Sequence, residues 1–282
     1  MYHHQAKRAL WVGVLLCFVA VLLPAASAAQ RGFGAAAPAS FSRSFHFTYN
    51  DKPPLLNSVK KTLKGDKKKD GSCVWHPADM ALAPQDLAVE QRQISADYAS
   101  CTTVVEIGIP TEIDEIAPDE TLATGPAGAR TTYSAKTRRL ARAGSLYNTT
   151  QAYYKVTWYD IVNLSLNYVR SILNWTWGQG GCIVGSTASS AIFSQTATGW
   201  GNTYWNWWKT TSCTDHRTHT DADFKNSIFC FPPSTYTHYR NVRVRGGYTG
   251  TYGGALDSTW TDGTQCAPLH WSAQLVKEWS TG

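Results

Sequence analysis

The chain reads as mainly β: an antiparallel β-sandwich or jelly-roll-like C-terminal domain, preceded by a small α/β N-terminal region. Three observations predict this. Apolar and polar residues alternate with a period of two through much of 151–282, and that is the period of a strand, whose successive side chains point to opposite faces. No segment in that stretch has the 3.6-residue period of a long amphipathic helix. The periodic runs are short and joined by Gly-rich connections, the pattern of antiparallel sandwiches and barrels. Composition agrees. The 282 residues are 43% hydrophobic, 12% aromatic and 16% charged. That supplies a core and excludes both a long coiled coil and a wholly disordered chain.

Taken in order, residues 1–28 have the layout of a secretory signal peptide. Lys7 and Arg8 precede an apolar run from Ala9 to Leu23, Pro24 breaks it, and Ala26-Ser27-Ala28 gives a small-residue cleavage pattern. The run of 15 residues is shorter than the ~20 needed to cross a bilayer, and no later run is longer. The chain is therefore expected to be secreted, extracellular or associated with the cell envelope, with no membrane span after cleavage.

Charge divides the remainder. Residues 30–72 carry nine Lys+Arg against three Asp+Glu, with no sustained period, so 29–72 is expected to be a flexible basic leader. Residues 73–128 invert the sign, with ten acidic groups against Arg92 alone. In this small acidic region Leu87, Gln91, Ile94 and Tyr98 fall at helical spacing behind Pro84, which predicts one helix over 84–98. Val104, Val105, Ile107 and Ile109 predict a strand ending at Pro110. Residues 129–150 hold five basic residues and no acid; Lys136 to Arg142 (KTRRLAR) looks like a protease-sensitive linker. Residues 151–282 are nearly balanced and form the aromatic-rich β-sandwich domain. Strands are expected within 152–160, 162–177, 199–209, 222–231, 236–245 and 267–278. The apolar parity switches inside the second of these, which predicts a bulge or tight turn near Val169–Ser171.

Six cysteines follow the signal: Cys73, Cys101, Cys182, Cys213, Cys230 and Cys266. An even count in an exported chain predicts three disulfides. With no C-x-x-C, thiolate metal sites lack their signature. Sequential pairing, Cys73–Cys101, Cys182–Cys213 and Cys230–Cys266, is favoured among the possible connectivities.

Several phrases carry a resemblance. Asp97 to Pro110 (DYASCTTVVEIGIP), Tyr153 to Asp160 (YYKVTWYD), Trp175-Thr176-Trp177 and Tyr236-Thr237-His238 resemble a loose group of exported, cysteine-containing, β-rich bacterial proteins of unknown function. The likeness extends over roughly residues 85–282. It implies export and β structure, and nothing about chemistry.

Motif searches exclude the familiar cofactor enzymes. There is no Walker loop, no H-E-x-x-H and no G-x-S-x-G, and Gly32-Phe33-Gly34 lacks the preceding strand of a dinucleotide turn. No cofactor, no metal site and no nucleic-acid partner is expected. The polar run Asp215 to Asp223 supplies weak catalytic candidates: His219, Asp221 and Asp223 would share one face of an extended strand, and a secreted hydrolase acting there is the alternative reading. An envelope structural or toxin-like protein with an acidic pro-region is another.

The stronger signal is aromatic. Residues 151–282 hold 10 Trp, 9 Tyr and 4 Phe. Trp200, Asn202, Tyr204, Asn206 and Trp208 alternate ring and amide on one strand face, with Trp205 and Trp207 on the other. Rings stack on the apolar face of a sugar and amides bind its hydroxyls. The even face is thus expected to bind cell-envelope or environmental polysaccharide, with Trp205 and Trp207 buried.

Overall fold

The computed structural model describes residues 44–124, 130–132, 147–228, 234–263 and 268–281. Its strands are β1 (Ser44–His46), β2 (Leu56–Lys64), β3 (Asp66–Lys67), β4 (Cys73–Val74), β5 (Met80–Leu82), β6 (Ala88–Asp97), β7 (Thr102–Ile109), β8 (Thr121–Thr124) and β9 (Arg130–Thr132). The longer strands follow: β10 (Tyr147–Tyr159), β11 (Ser165–Gly178), β12 (Gly185–Ser194), β13 (Trp200–Thr211), β14 (Asp215–Asn226), β15 (Thr235–Gly247), β16 (Tyr252–Asp262) and β17 (His270–Thr281). Apart from one 3-10 turn at Thr196–Thr198, no helix occurs among the described residues.

Ten strands form one antiparallel sheet in the order β2-β7-β6-β17-β10-β11-β12-β8-β9, with β1 added against β6. Five form a second, in the order β13-β14-β15-β16-β5. The inner faces pack together as a sandwich. Tyr154, Val156, Trp158, Val169, Leu173, Trp175, Ala273 and Leu275 from the large sheet meet Phe224, Tyr239, Val242, Val244 and Leu256 from the small one. Polar pegs cross the interface: Trp158 Nε1 donates to Thr259 Oγ1 (2.9 Å), Ser171 Oγ to the Val242 carbonyl (2.7 Å) and Thr218 Oγ1 to the Ile172 carbonyl (2.8 Å).

Three large rings sit over glycines. A Cβ on Gly246 would lie 2.4 Å from Trp175, one on Gly254 2.3 Å from Tyr154, and one on Gly250 2.3 Å from Trp177. The bare backbone of β15, β16 and their connecting turn is what lets these rings reach across the interface.

The mainly β, antiparallel reading holds. The helix over 84–98 does not: Ala88–Asp97 is strand β6, pairing β17 on one side and β7 on the other. The apolar spacing misled because Leu87 is exposed while the strand buries four consecutive polar residues, Glu90 to Gln93. Glu90 and Arg92 are buried as an ion pair (2.9 Å) and Gln93 donates to Thr103 Oγ1 (3.0 Å). Tertiary pairing overrode local pattern. No small α/β unit exists within the described residues. Residues 56–64, expected in a flexible leader, form strand β2 on β7, so the acidic and basic blocks share one sheet with the aromatic-rich region. Residues 1–43 and 133–146, which include the signal peptide and the KTRRLAR strip, lie outside the described residues.

The register of β11 on β10 is unbroken across Val169–Ser171; the irregularity lies just before it, at Ser165–Asn167 opposite Trp158 and Tyr159. Both parities are apolar because both faces are buried. The outward side of the large sheet carries the buried residues Tyr153, Lys155, Tyr168 and Arg170, charge-matched to Asp114 (3.6 Å from Lys155) and to Glu120 against Arg170. Cys73–Cys101 and Cys182–Cys213 are disulfide-paired, with Cα–Cα distances of 5.4 and 4.6 Å. The Cys230–Cys266 expectation falls outside the described residues.

The ring-over-glycine packing is testable. Gly254→Ala should destabilise the protein by about 1–3 kcal/mol, the usual cost of forcing bulk into a packed core, as read by urea denaturation. Gly201→Ala, where a Cβ meets nothing within 4 Å, should leave stability unchanged or slightly raised.

Candidate functional site

The open face of the five-stranded sheet gathers the candidate residues. Strand register sets them in rows running across the strands. Tyr204 lies beside Asp223, Asp223 beside His238 and His238 beside Trp260. Asn206 lies beside Asp221. Trp208, His219, Arg243 and Ala255 form a third row, and Thr210, Arg217, Arg245 and Gly253 a fourth.

Edge strand β13 begins this face, and its register decides which rings are open. A bulge interrupts its pairing with β14 between Asn202 and Tyr204. One extra residue exchanges the two faces from there on. Trp200, before the bulge, is therefore core at 2% exposure, while Tyr204 and Trp208, after it, are 45% and 37% exposed. This corrects the expected platform: Trp200 does not belong to it. Asn202 is half-buried and fastens the bulge, donating from Nδ2 to the carbonyls of Tyr204 (2.8 Å) and Asp223 (3.1 Å). Tyr204, Asn206 and Trp208 remain on the open side. Trp205 turns inward and its indole donates to Ser190 Oγ (3.1 Å); Trp207 is half-buried on the same inner side.

His219, Asp221 and Asp223 share the open face, as their spacing requires, but the structure commits each to a different partner. The His219 ring lies parallel under Trp208, with centroids 5.0 Å apart. Its Nδ1 is 2.7 Å from Asn241 Oδ1 and its Nε2 2.8 Å from Thr210 Oγ1. Burial lowers its pKa, so the ring is neutral: Nδ1 donates to Asn241 Oδ1 and Nε2 accepts from the Thr210 hydroxyl. Asp221 accepts the backbone N–H of Asn241 (2.7 Å) at a second bulge, where Asn241 takes a left-handed φ of 57°.

Asp223 belongs to a charged cluster with His238. His238 Nδ1 is 2.7 Å from Asp223 and Nε2 3.0 Å from Asp262. Both partners only accept, so both ring nitrogens carry protons. Burial opposes that charge, but the two carboxylates outweigh it and raise the His238 pKa. Burial likewise opposes charge on Asp223 and Asp262; hydrogen bonds from His238 and from Arg240 or Lys68 overcome it and hold both below the usual carboxylate range. The His238 ring is covered by Trp260 (4.5 Å between centroids), which also lies under the Arg240 guanidinium and the Lys68 ammonium, each 5.1 Å away.

Beside the Trp208 row the sheet opens into a cleft of ≈ 290 Å³ lined by Arg217, Arg243, Arg245 and Asp79. Among the described residues no group of three or more His, Cys, Asp or Glu side chains is gathered as for a metal ion. Sequence reasoning missed the three arginines, His238 and Trp260. One signal was present: in Arg240 to Arg245 (RNVRVR), Arg243 and Arg245 alternate with Val242 and Val244, a cationic strand face over an apolar one. Arg217 and Trp260 join that face only through cross-strand register.

Compared with known proteins, the chain matches no family model, no curated protein and no solved structure.

The His238 cluster gives a pH signature. Because the folded pKa of His238 is raised above its ordinary value of about 6.5, its stabilisation is complete below about pH 6.5 and is lost as pH rises through the folded value. The carboxylates act oppositely, contributing above about pH 4 and losing that contribution as pH falls through their lowered values. The stability advantage of the wild type over His238→Gln should therefore be largest between about pH 4 and 6.5. Denaturation at pH 5 and pH 9 checks this; an equal advantage at both would contradict it.

Proposed function

We propose that this is an exported, non-catalytic β-sandwich protein that binds cell-envelope or environmental polysaccharide on the open face of its five-stranded sheet. The observation that carries the reading is the β13 bulge. It presents Tyr204 and Trp208 to solvent four residues apart on an edge strand, with the exposed amide of Asn206 between them. Their separation is about 13 Å at ~3.3 Å per residue, enough for successive sugars of one chain to meet both rings. A large ring left open on a sheet face loses its water only when a ligand arrives, and it fixes the ligand with little loss of side-chain freedom. Trp208 is also held in place before binding, because it is stacked on a neutral His219 that is itself fixed by Thr210 and Asn241.

Export to an extracellular or cell-envelope location is part of the proposal. It is supported by the layout of residues 1–28 and by the two disulfides, since such bonds persist in oxidising compartments. No helix among the described residues is long and apolar enough to cross a membrane.

Replacing Trp208 by Ala should weaken retention in polysaccharide affinity gels by about tenfold, or ~1.4 kcal/mol, while costing at most ~1.5 kcal/mol of stability through the lost stack. Trp205→Ala should do the reverse, costing about 3 kcal/mol of stability through lost core packing while the protein that stays folded keeps its retention. If Trp208→Ala leaves retention by every retaining polymer unchanged, the platform reading falls.

A further inference from the structure

We propose that the cleft beside the platform is an anion subsite, and that the polysaccharide bound on this face is therefore acidic, its carboxylate, sulfate or phosphate groups held by Arg217, Arg243 and Arg245. The inference rests on the polysaccharide reading above and narrows it to a substrate class.

The arginines are placed at some cost. Arg217 and Arg245 are direct cross-strand neighbours on β14 and β15, an arrangement in which like charges repel. Arg243 follows two residues before Arg245 on the same side, so all three heads converge on one cleft. Their compensation is incomplete. Arg217 is paired through Nε to Asp215, and Arg243 through one terminal nitrogen to Asp257. Each guanidinium carries five N–H donors in a planar fork suited to oxyanions, so most donors of both remain unused. Arg245 is exposed and has no hydrogen bond or ion pair among the described residues. Asp79 also lines the cleft, and it forms no ion pair with the arginines. Backbone geometry makes room for Arg245. A Cβ on Gly253, its neighbour on β16, would lie 2.6 Å from Arg245 Nε, so a bare glycine lets the side chain lie across the strand at the cleft.

The cleft and the platform are continuous. Trp208, His219 and Arg243 are consecutive neighbours across β13, β14 and β15, which places the exposed indole about 10 Å from Arg243 at ~4.8 Å per strand. A polymer crossing the strands along this row would stack one sugar on Trp208 and bring the acidic group of a nearby sugar to the arginines. The other end of the face lacks this cluster of guanidinium forks: Arg240, Lys68 and His238 are each bonded to Asp223 or Asp262, and Lys225 lies over the Tyr236 ring.

The test uses the mature chain with two polymers on one backbone, neutral hydroxyethylcellulose and anionic carboxymethylcellulose, and with polygalacturonate as a second acidic chain. The wild type should bind the acidic polymers at least about tenfold tighter. Arg245→Gln should remove most of that preference without changing binding to the neutral polymer. Arg245→Lys should restore only part of it, because a point charge lacks the fork. Lys60→Gln, a charge loss on exposed strand β2 of the other sheet, should have no effect. Equal binding to neutral and acidic polymers overturns the inference and leaves the platform reading standing. An equal loss in Lys60→Gln and Arg245→Gln also overturns it, since attraction would then come from net charge and not from the cleft. A loss in Arg245→Gln with none in Trp208→Ala supports the anion subsite and removes the platform. Retention by none of the three polymers overturns both.

Discussion

The structure depends on a steric match between rings and glycines. Tyr154 and Trp175 project from the large sheet into space that exists only because residues 254 and 246 lack a Cβ. That match fixes how β15 and β16 sit over β10 and β11. Strand side chains alternate, so it also fixes the far side. With Val242, Val244 and Gly246 turned to the core, Arg243 and Arg245 must face solvent. A slip of one residue would bury the arginines and expose the valines, so the core and the candidate site share one register.

Two bulges then adjust the outer face. The one at Asn202–Tyr204 sends Trp200 inward and Trp208 outward. The one opposite Thr220–Ala222 turns the backbone at Asn241, whose N–H caps Asp221 while its side chain fixes His219. Together they leave a face with two electrical characters. At one end Asp223 and Asp262 accept from a charged His238 and from Arg240 and Lys68. The other keeps three converging guanidiniums with donors to spare, next to a ring resting on an uncharged histidine.

The alternation over 152–158 and 269–275 was legible because those strands put apolar residues on the core side and polar ones opposite. Strand β6 was not legible. Besides Ala88 and Ala96 it buries Glu90, Gln91, Arg92 and Gln93 in a row, which no apolar pattern marks; Glu90 pairs with Arg92 and accepts from Gln274 of β17, and Gln93 donates to Thr103 of β7. In β11 both faces are buried, so apolar residues occur on both parities, and its register irregularity against β10 lies at Ser165–Asn167. The exposed face of β13 was legible in part. Tyr204, Asn206 and Trp208 follow from period two, but Trp200 was misassigned because a bulge is a one-residue event with no composition of its own. The arginine cleft needed β14, β15 and β16 in register. The Arg243–Arg245 alternation was visible, whereas Arg217 and Gly253 reach them from 26 and eight residues away.

The central claim is that one face of the small sheet binds ligand while the ring-and-glycine interior holds it rigid. Indole N–H resonances test that most directly, since the 12 tryptophans divide between the two roles. On titrating 15N-labelled protein with an acidic oligosaccharide, the Trp208 signal should shift. Those of Trp158, Trp175 and Trp205, whose N–H groups are tied inside the sandwich, should stay fixed. Shifts confined to the interior indoles, or an unmoved Trp208 at saturating ligand, would contradict the account.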